Sequence, residues 1–102
     1  MSETIQSATK VLKALDILLP HFAHGLTGAD VARELRVQPP VAHRYLVTLE
    51  EAGFAERIQE TGRWRASHRL GRAAVAIMDS LRGAENAIHT SVGRLTGGRQ
   101  TF

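Results

Sequence analysis

The chain has no cysteine, and among its 102 residues there are one tryptophan, one tyrosine and three phenylalanines. Without cysteine there is no disulfide scaffold and no Cys-ligated zinc or iron–sulfur site. With so few aromatics, the core has to be built from Leu, Ile, Val and Ala. No apolar run approaches the ~20 residues needed to span a bilayer. The opening MSETIQSATK carries an early acid and no apolar h-region, so it does not read as a secretory signal. A soluble, cytoplasmic chain with no membrane partner is expected. Catalytic constellations are also missing. His21 and His24 stand three apart, but no third ligand is placed near them, so they read as surface polarity rather than a metal site. Asp30 and Glu34 look like cap and surface residues. Gly97-Gly98 lacks the spacing and the Lys-Ser/Thr pair of a phosphate loop. The expectation is a protein that is not an enzyme and has no metal and no cofactor.

What is present fits one small domain. The hydrophobic fraction is 43%, ordinary for a globular chain. The net charge of +3 is unevenly spread. Through Ala52 five basic residues stand against six acids, whereas from Gly53 onward eight arginines face four acids. Arg57, Arg63, Arg65, Arg69 and Arg72 fall in one short stretch. A guanidinium is always charged and donates in a planar fork, which suits phosphate. A solvated basic face with no ligand is the plainer reading of the same residues.

The apolar spacing resolves into helices. Ser7 is a candidate cap for a first helix with Ala8, Leu12, Leu15, Leu19 and Phe22 on one stripe, ended or bent near Pro20. His21–Leu26 reads as a loop broken by Gly25. Thr27 and Asp30 resemble a capping box opening a short second helix with Val31, Ala32 and Leu35 inside. Arg36-Val37-Gln38 forms a tight connection. A third helix then spans about 40–52, with Ala42, Tyr45, Leu46 and Leu49 inward and Gly53 as its stop.

Two helices three or four residues apart have helix-turn-helix geometry, in which the second helix enters the major groove. Pro39, Val41, His43, Arg44, Val47 and Thr48 turn away from the apolar face. Arg44 suits a guanine edge or a phosphate. As ordinary exposed helix residues, Arg44 and His43 would need no ligand at all. Phe54–Gln59 and Arg63–Ala66 flank Glu60-Thr61-Gly62 and read as a hairpin, with Phe54, Ile58 and Trp64 inward and Arg57, Arg63 and Arg65 projecting. A basic hairpin after a helix-turn-helix is a wing. Trp64 reads as a core anchor rather than a base-stacking platform.

Gly25-Leu26-Thr27 through Ala32 and Leu35, then Val41 to Phe54, resemble the DNA-binding domain of IclR-type transcriptional regulators. Gly62-Arg63-Trp64-Arg65 and Leu70-Gly71 resemble that family's wing and the start of its linker helix, and Lys13–Leu18 fits its first helix. The likeness covers roughly 5–82. It implies a recognition helix in the major groove, a wing on the backbone or minor groove, and dimerisation partly through this domain. It also implies a large C-terminal effector domain, whereas only twenty residues follow Arg82. A small-molecule effector is therefore not expected. The chain also departs from the family at Pro39-Pro40-Val41, where Ser or Thr hydroxyls are common. Two prolines remove amide donors from that helix tip. Either the arginines and wing supply the contacts, or Val41 packs on a thymine methyl.

Ser67–Arg82 reads as a fourth helix, capped by Ser67, with Leu70, Ala73, Ala74, Ile77, Met78 and Leu81 in a stripe. The stripe either meets a second copy, with Leu70, Ile77 and Leu81 as the dimer interface, or folds onto its own core. Ala84–Val92 is a weak helix candidate within a tail read as flexible. The expected fold is mainly α with a small β-hairpin: a winged helix-turn-helix over 1–66, a linker/dimerisation helix over 67–82 and a tail over 83–102. The expected function is a sequence-specific double-stranded DNA-binding regulator, a repressor acting as a homodimer. Its DNA-binding residues are Thr27, Gln38, Pro39, Val41, His43, Arg44, Thr48, Arg57, Arg63 and Arg65. The alternative is a winged-helix protein–protein interaction module that does not bind DNA.

Overall fold

The computed structural model describes residues 3–95. The first helix, α1, spans Gln6–Leu18. Its N-cap position is Ile5, with no side-chain cap, so Ser7 lies inside the first turn and does not cap it. The face in use is also not the expected one. Ala14 and Leu18 are fully buried, with Val11 and Leu15 packed beside them. Leu12 is 64% exposed and Leu19 47%. Apolar residues occupy more than half of this helix's circumference. Periodicity therefore allows several arcs, and the neighbouring helices select one. A 3-10 turn, Leu19–His21, follows, with Pro20 in its first positions.

Helix α2, Gly28–Leu35, opens with a complete capping box. The Asp30 amide donates to the Thr27 hydroxyl at 3.0 Å, and the Thr27 amide donates to the Asp30 carboxylate at 3.2 Å. It stops at Arg36, which takes a left-handed conformation at φ 57°. The Arg36 and Val37 amides then donate back to the Arg33 and Ala32 carbonyls, closing the last turn. Helix α3, Pro39–Glu51, starts one residue earlier than expected. Prolines are tolerated there because first-turn amides have no intrahelical acceptor. At its far end Gly53, at φ 88°, lets the Gly53 and Phe54 amides reach the Glu50 and Leu49 carbonyls. The core lies where the three helices meet. Ala42, Leu46 and Leu49 of α3 pack with Ala14 and Leu18 of α1 and with Val31 and Ala32 of α2.

The hairpin pairs β1, Ala55–Arg57, with β2, Trp64–Ala66, in antiparallel register. Glu56 stands opposite Arg65, and Arg57 opposite Trp64. The Ile58 amide donates to the Arg63 carbonyl at 2.7 Å, closing a loop over 59–62. Leu26 adds a bridge on the other side of β2, exchanging backbone bonds of 2.7 and 2.8 Å with Trp64. This close approach requires glycine at position 25. Its φ is 72°, and a Cβ there would stand 2.6 Å from the Trp64 carbonyl oxygen. Ala55, Trp64 and Ala66 turn inward and are buried.

Helix α4 spans His68–Leu95. Ser67 precedes it, but its hydroxyl does not cap the helix; it donates to the Gly53 carbonyl at 2.8 Å. The first α4 amide, that of His68, is instead met by Glu56 Oε1 at 2.9 Å. The chain divides into two units after Leu70. The described part of the second, 71–95, is helix throughout, so α4 continues past Arg82 into the segment read as a tail. Val75, Ile77, Met78, Leu81 and Ile88 on it are each more than half exposed. The flexible stretch expected after Leu95 lies outside the described residues. Among the described residues no helix is long and apolar enough to cross a membrane.

Candidate nucleic-acid interface

The outward face of α3 carries Pro39, Pro40, His43, Arg44, Val47 and Thr48, all exposed. No acidic partner engages Arg44 among the described residues, so its fork is open to solvent. The Thr48 hydroxyl donates to the Arg44 carbonyl at 2.7 Å, which leaves its oxygen only as an acceptor toward anything outside. Val41 is half-buried. It lines a groove of 640 Å³ with Val11 and Leu12 of α1 and Arg44, Tyr45 and Thr48 of α3. Gln38 is exposed at the N-cap of α3 and makes no capping hydrogen bond. The Thr27 hydroxyl is occupied by the α2 capping box.

The three hairpin arginines differ in what already holds them. Arg63 is exposed and its side chain has no ion pair among the described residues. The Arg57 guanidinium lies 4.3 Å from the Trp64 ring centroid, a cation–π distance. Arg65 is committed to the fold. Its Nε donates to Glu56 Oε2 at 3.0 Å, and Nη2 lies 2.9 Å from the same oxygen. Its guanidinium also lies 5.4 Å from the Phe22 ring. Reading the hairpin as a row of projecting arginines therefore overcounts its free cations by one. Beyond the hairpin, Arg69 lies 5.0 Å from the Phe54 ring.

Glu56 is a residue that sequence reasoning missed. It receives both Arg65 donors, the His68 amide and His68 Nδ1 at 2.8 Å. Burial by itself would raise its carboxyl. The hydrogen bonds from His68 and Arg65 outweigh that and hold it below the usual 4.5. The sequence signal was the hairpin register. Pairing across a four-residue loop sets Glu56 against Arg65, whereas a three-residue loop over 60–62 would set Arg57 there. The Asp30 carboxyl is lowered too, first by the Thr27 hydroxyl and then by the Thr27 amide. The structure also gives Trp64 neighbours that no spacing showed. His43 meets its ring edge-on, with centroids 6.2 Å apart and planes at 75°. Residues of α3 and of the hairpin thus meet at one indole. No group of three or more potential metal-ligating side chains occurs among the described residues.

A family model described as the IclR helix-turn-helix domain matches residues 7–59. The "HTH-type transcriptional regulator BhcR" of Paracoccus denitrificans is 39% identical over 67 residues, 65% of this chain and 24% of that regulator. The chain thus spans about a quarter of that relative's length. Among solved structures, HmgR of Pseudomonas aeruginosa aligns at 27% identity and a TM-score of 0.58, over 76% of this chain and 33% of that one. An IclR family transcriptional regulator from Brucella abortus aligns with a TM-score of 0.65 over 85% of this chain and 34% of that one. At 17% identity the latter speaks for the fold alone.

Proposed function

The chain belongs to the IclR helix-turn-helix family, and from that premise we propose that it is a sequence-specific transcriptional repressor working in the cytoplasm as a homodimer on double-stranded DNA. The observation that carries this reading is the open face of α3. It presents exposed His43, Arg44 and Val47, with no acid paired to Arg44 among the described residues, and it joins the basic hairpin through Trp64. In the proposed mode α3 lies in the major groove. Arg44 reads a guanine edge, Val41 and Val47 offer apolar contact to thymine methyls, and His43 and Thr48 add polar contacts. Pro39 shapes the helix tip. The Thr27 turn lies at the N-terminus of α2, where a backbone phosphate is favoured; Gln38 contributes through its side-chain amide, since Pro39 and Pro40 leave the α3 tip without donors. Arg57 and Arg63 neutralise phosphates beside the groove. Arg65 acts through the hairpin it ties to Glu56. Repression follows from occupying DNA that transcription requires.

Dimerisation is assigned to α4. Leu70, Ala74, Ile77, Leu81, Ala84 and Ile88 recur at spacings of four, three, four, three and four, the seam of a two-helix coil. Ile77, Leu81 and Ile88 are exposed along that seam. Leu70, Ile77 and Leu81 are the proposed anchors. We also propose that 1–66 is the reading head, with the stretch from residue 67 linking it to the second copy.

The test is duplex binding against salt. A protein that neutralises about six phosphates loses roughly a thousandfold in affinity between about 50 and 200 mM salt. Selection from a random duplex pool should return a two-fold symmetric site. Failure to bind any duplex at low salt refutes the reading and leaves a winged-helix module that engages protein.

A further inference from the structure

Trp64 is the chain's single tryptophan, and it is 3% exposed. Core filling explains its burial but not what rests against its ring. The register of β1 and β2 sets Arg57 directly across from Trp64, and the guanidinium settles 4.3 Å from the ring centroid. From α3, His43 brings its imidazole edge-on to the same ring. Neither side chain has an acidic partner among the described residues. Glu56, the nearest acid in sequence, points to the opposite face of the hairpin, where Arg65 and His68 hold it. Nothing on the sheet therefore competes with the indole for Arg57.

We infer that Trp64 is a positioning residue for DNA, holding Arg57 of the wing and His43 of the recognition helix on one indole so that the two meet a duplex as a preset pair. This rests on the DNA-binding reading. An unrestrained arginine loses rotamer freedom when it meets a phosphate, and one already stacked loses less. Indole offers the strongest aromatic face for a cation, so smaller rings hold Arg57 less well. The link also spans two elements. It fixes the wing's cation relative to α3, which sequence-reading contacts require and mere charge attraction does not.

The experiment is a double-mutant cycle on the selected duplex, using Trp64→Phe, Arg57→Gln and the pair in the full chain. Trp64→Phe should weaken binding about three- to tenfold, the scale of one side chain's ordering. Its salt dependence should match wild type, since no phosphate contact is removed. Arg57→Gln should lower the salt slope by about one phosphate contact. In the Arg57→Gln background, Trp64→Phe should cost less than in wild type, leaving only the share carried by His43. An equal loss in both backgrounds overturns the inference and leaves Trp64 as core filler. A second arm does not depend on the Phe variant folding. Because Trp64 is the only indole, its emission reports the stack directly. Arg57→Gln and His43→Ala should each shift it. Unchanged emission with duplex binding intact overturns this inference alone, whereas absent duplex binding by the wild-type chain overturns the DNA reading and takes this inference with it.

Discussion

Replacing Glu56 by alanine removes one carboxylate from four donors on two residues. Arg65 Nε and Nη2 lie 3.0 and 2.9 Å from Oε2, His68 Nδ1 lies 2.8 Å from it, and the His68 amide lies 2.9 Å from Oε1. The Arg65 side chain is only 22% exposed, so it is left partly buried with no counter-ion. A hydrogen bond to a charged group contributes about 1.5–3 kcal/mol. The Glu56 side chain is 30% exposed, so solvent screens the pair and the four contacts do not add. A net loss of about 2 kcal/mol follows for alanine, and about 1 kcal/mol for glutamine, which keeps one acceptor. For a domain of this size, 2 kcal/mol lowers the melting midpoint by roughly 8–16 °C. Denaturant unfolding followed by Trp64 emission measures it, with an unchanged slope showing that only stability moved. The pH dependence gives a second check. The carboxyl is lower in the folded state than the ordinary 4.5. Its contribution is therefore full above that value and is lost as pH falls through the folded value. The gap between wild type and Glu56→Gln should be full above about 4.5 and close as pH falls below it. A Glu56→Ala variant within about 0.5 kcal/mol of wild type, the range of an ordinary surface change, would refute the assignment.

Four further outcomes are expected. Arg44→Ala should weaken binding to the selected duplex far more than to random duplex, whereas Arg63→Ala should weaken both alike; titrating both duplexes at one salt concentration separates base reading from phosphate contact. Arg36→Gly should stabilise the domain by up to about 1 kcal/mol, because a left-handed conformation strains any residue with a Cβ; thermal melts check the sign. Gly25→Ala should destabilise by about 2 kcal/mol or more, since the new Cβ meets the Trp64 carbonyl at 2.6 Å on a positive-φ backbone. Ile77→Glu combined with Leu81→Glu should convert a dimer to monomer in sedimentation without lowering the melting of the first unit.

The elements bounded by local chemistry were legible from the chain alone. The Thr27–Asp30 box, the prolines opening α3 and the glycine closing it are decided within four residues of themselves. Each concerns backbone groups that have no other partner. The same locality made the helix-turn-helix spacing and the resemblance that rests on it readable. Tertiary structure decided which surfaces those elements present. α1 offers several apolar arcs, and contact with α2 and α3 chose Val11, Ala14, Leu15 and Leu18 over the arc through Leu12 and Leu19. The hairpin loop closes at Ile58 and Arg63, and a strand pairing that slips by one residue exchanges every face. That single step took Arg65 out of the free cations, gave it to Glu56, and set Arg57 on Trp64. The cap of α4 likewise came from Glu56, twelve residues upstream, rather than from the adjacent Ser67. Sequence determined the start of α2 and the ends of α3 because the backbone hydrogen bonding there is local. Which arginines remain open to a duplex was settled only when strands and helices paired at a distance.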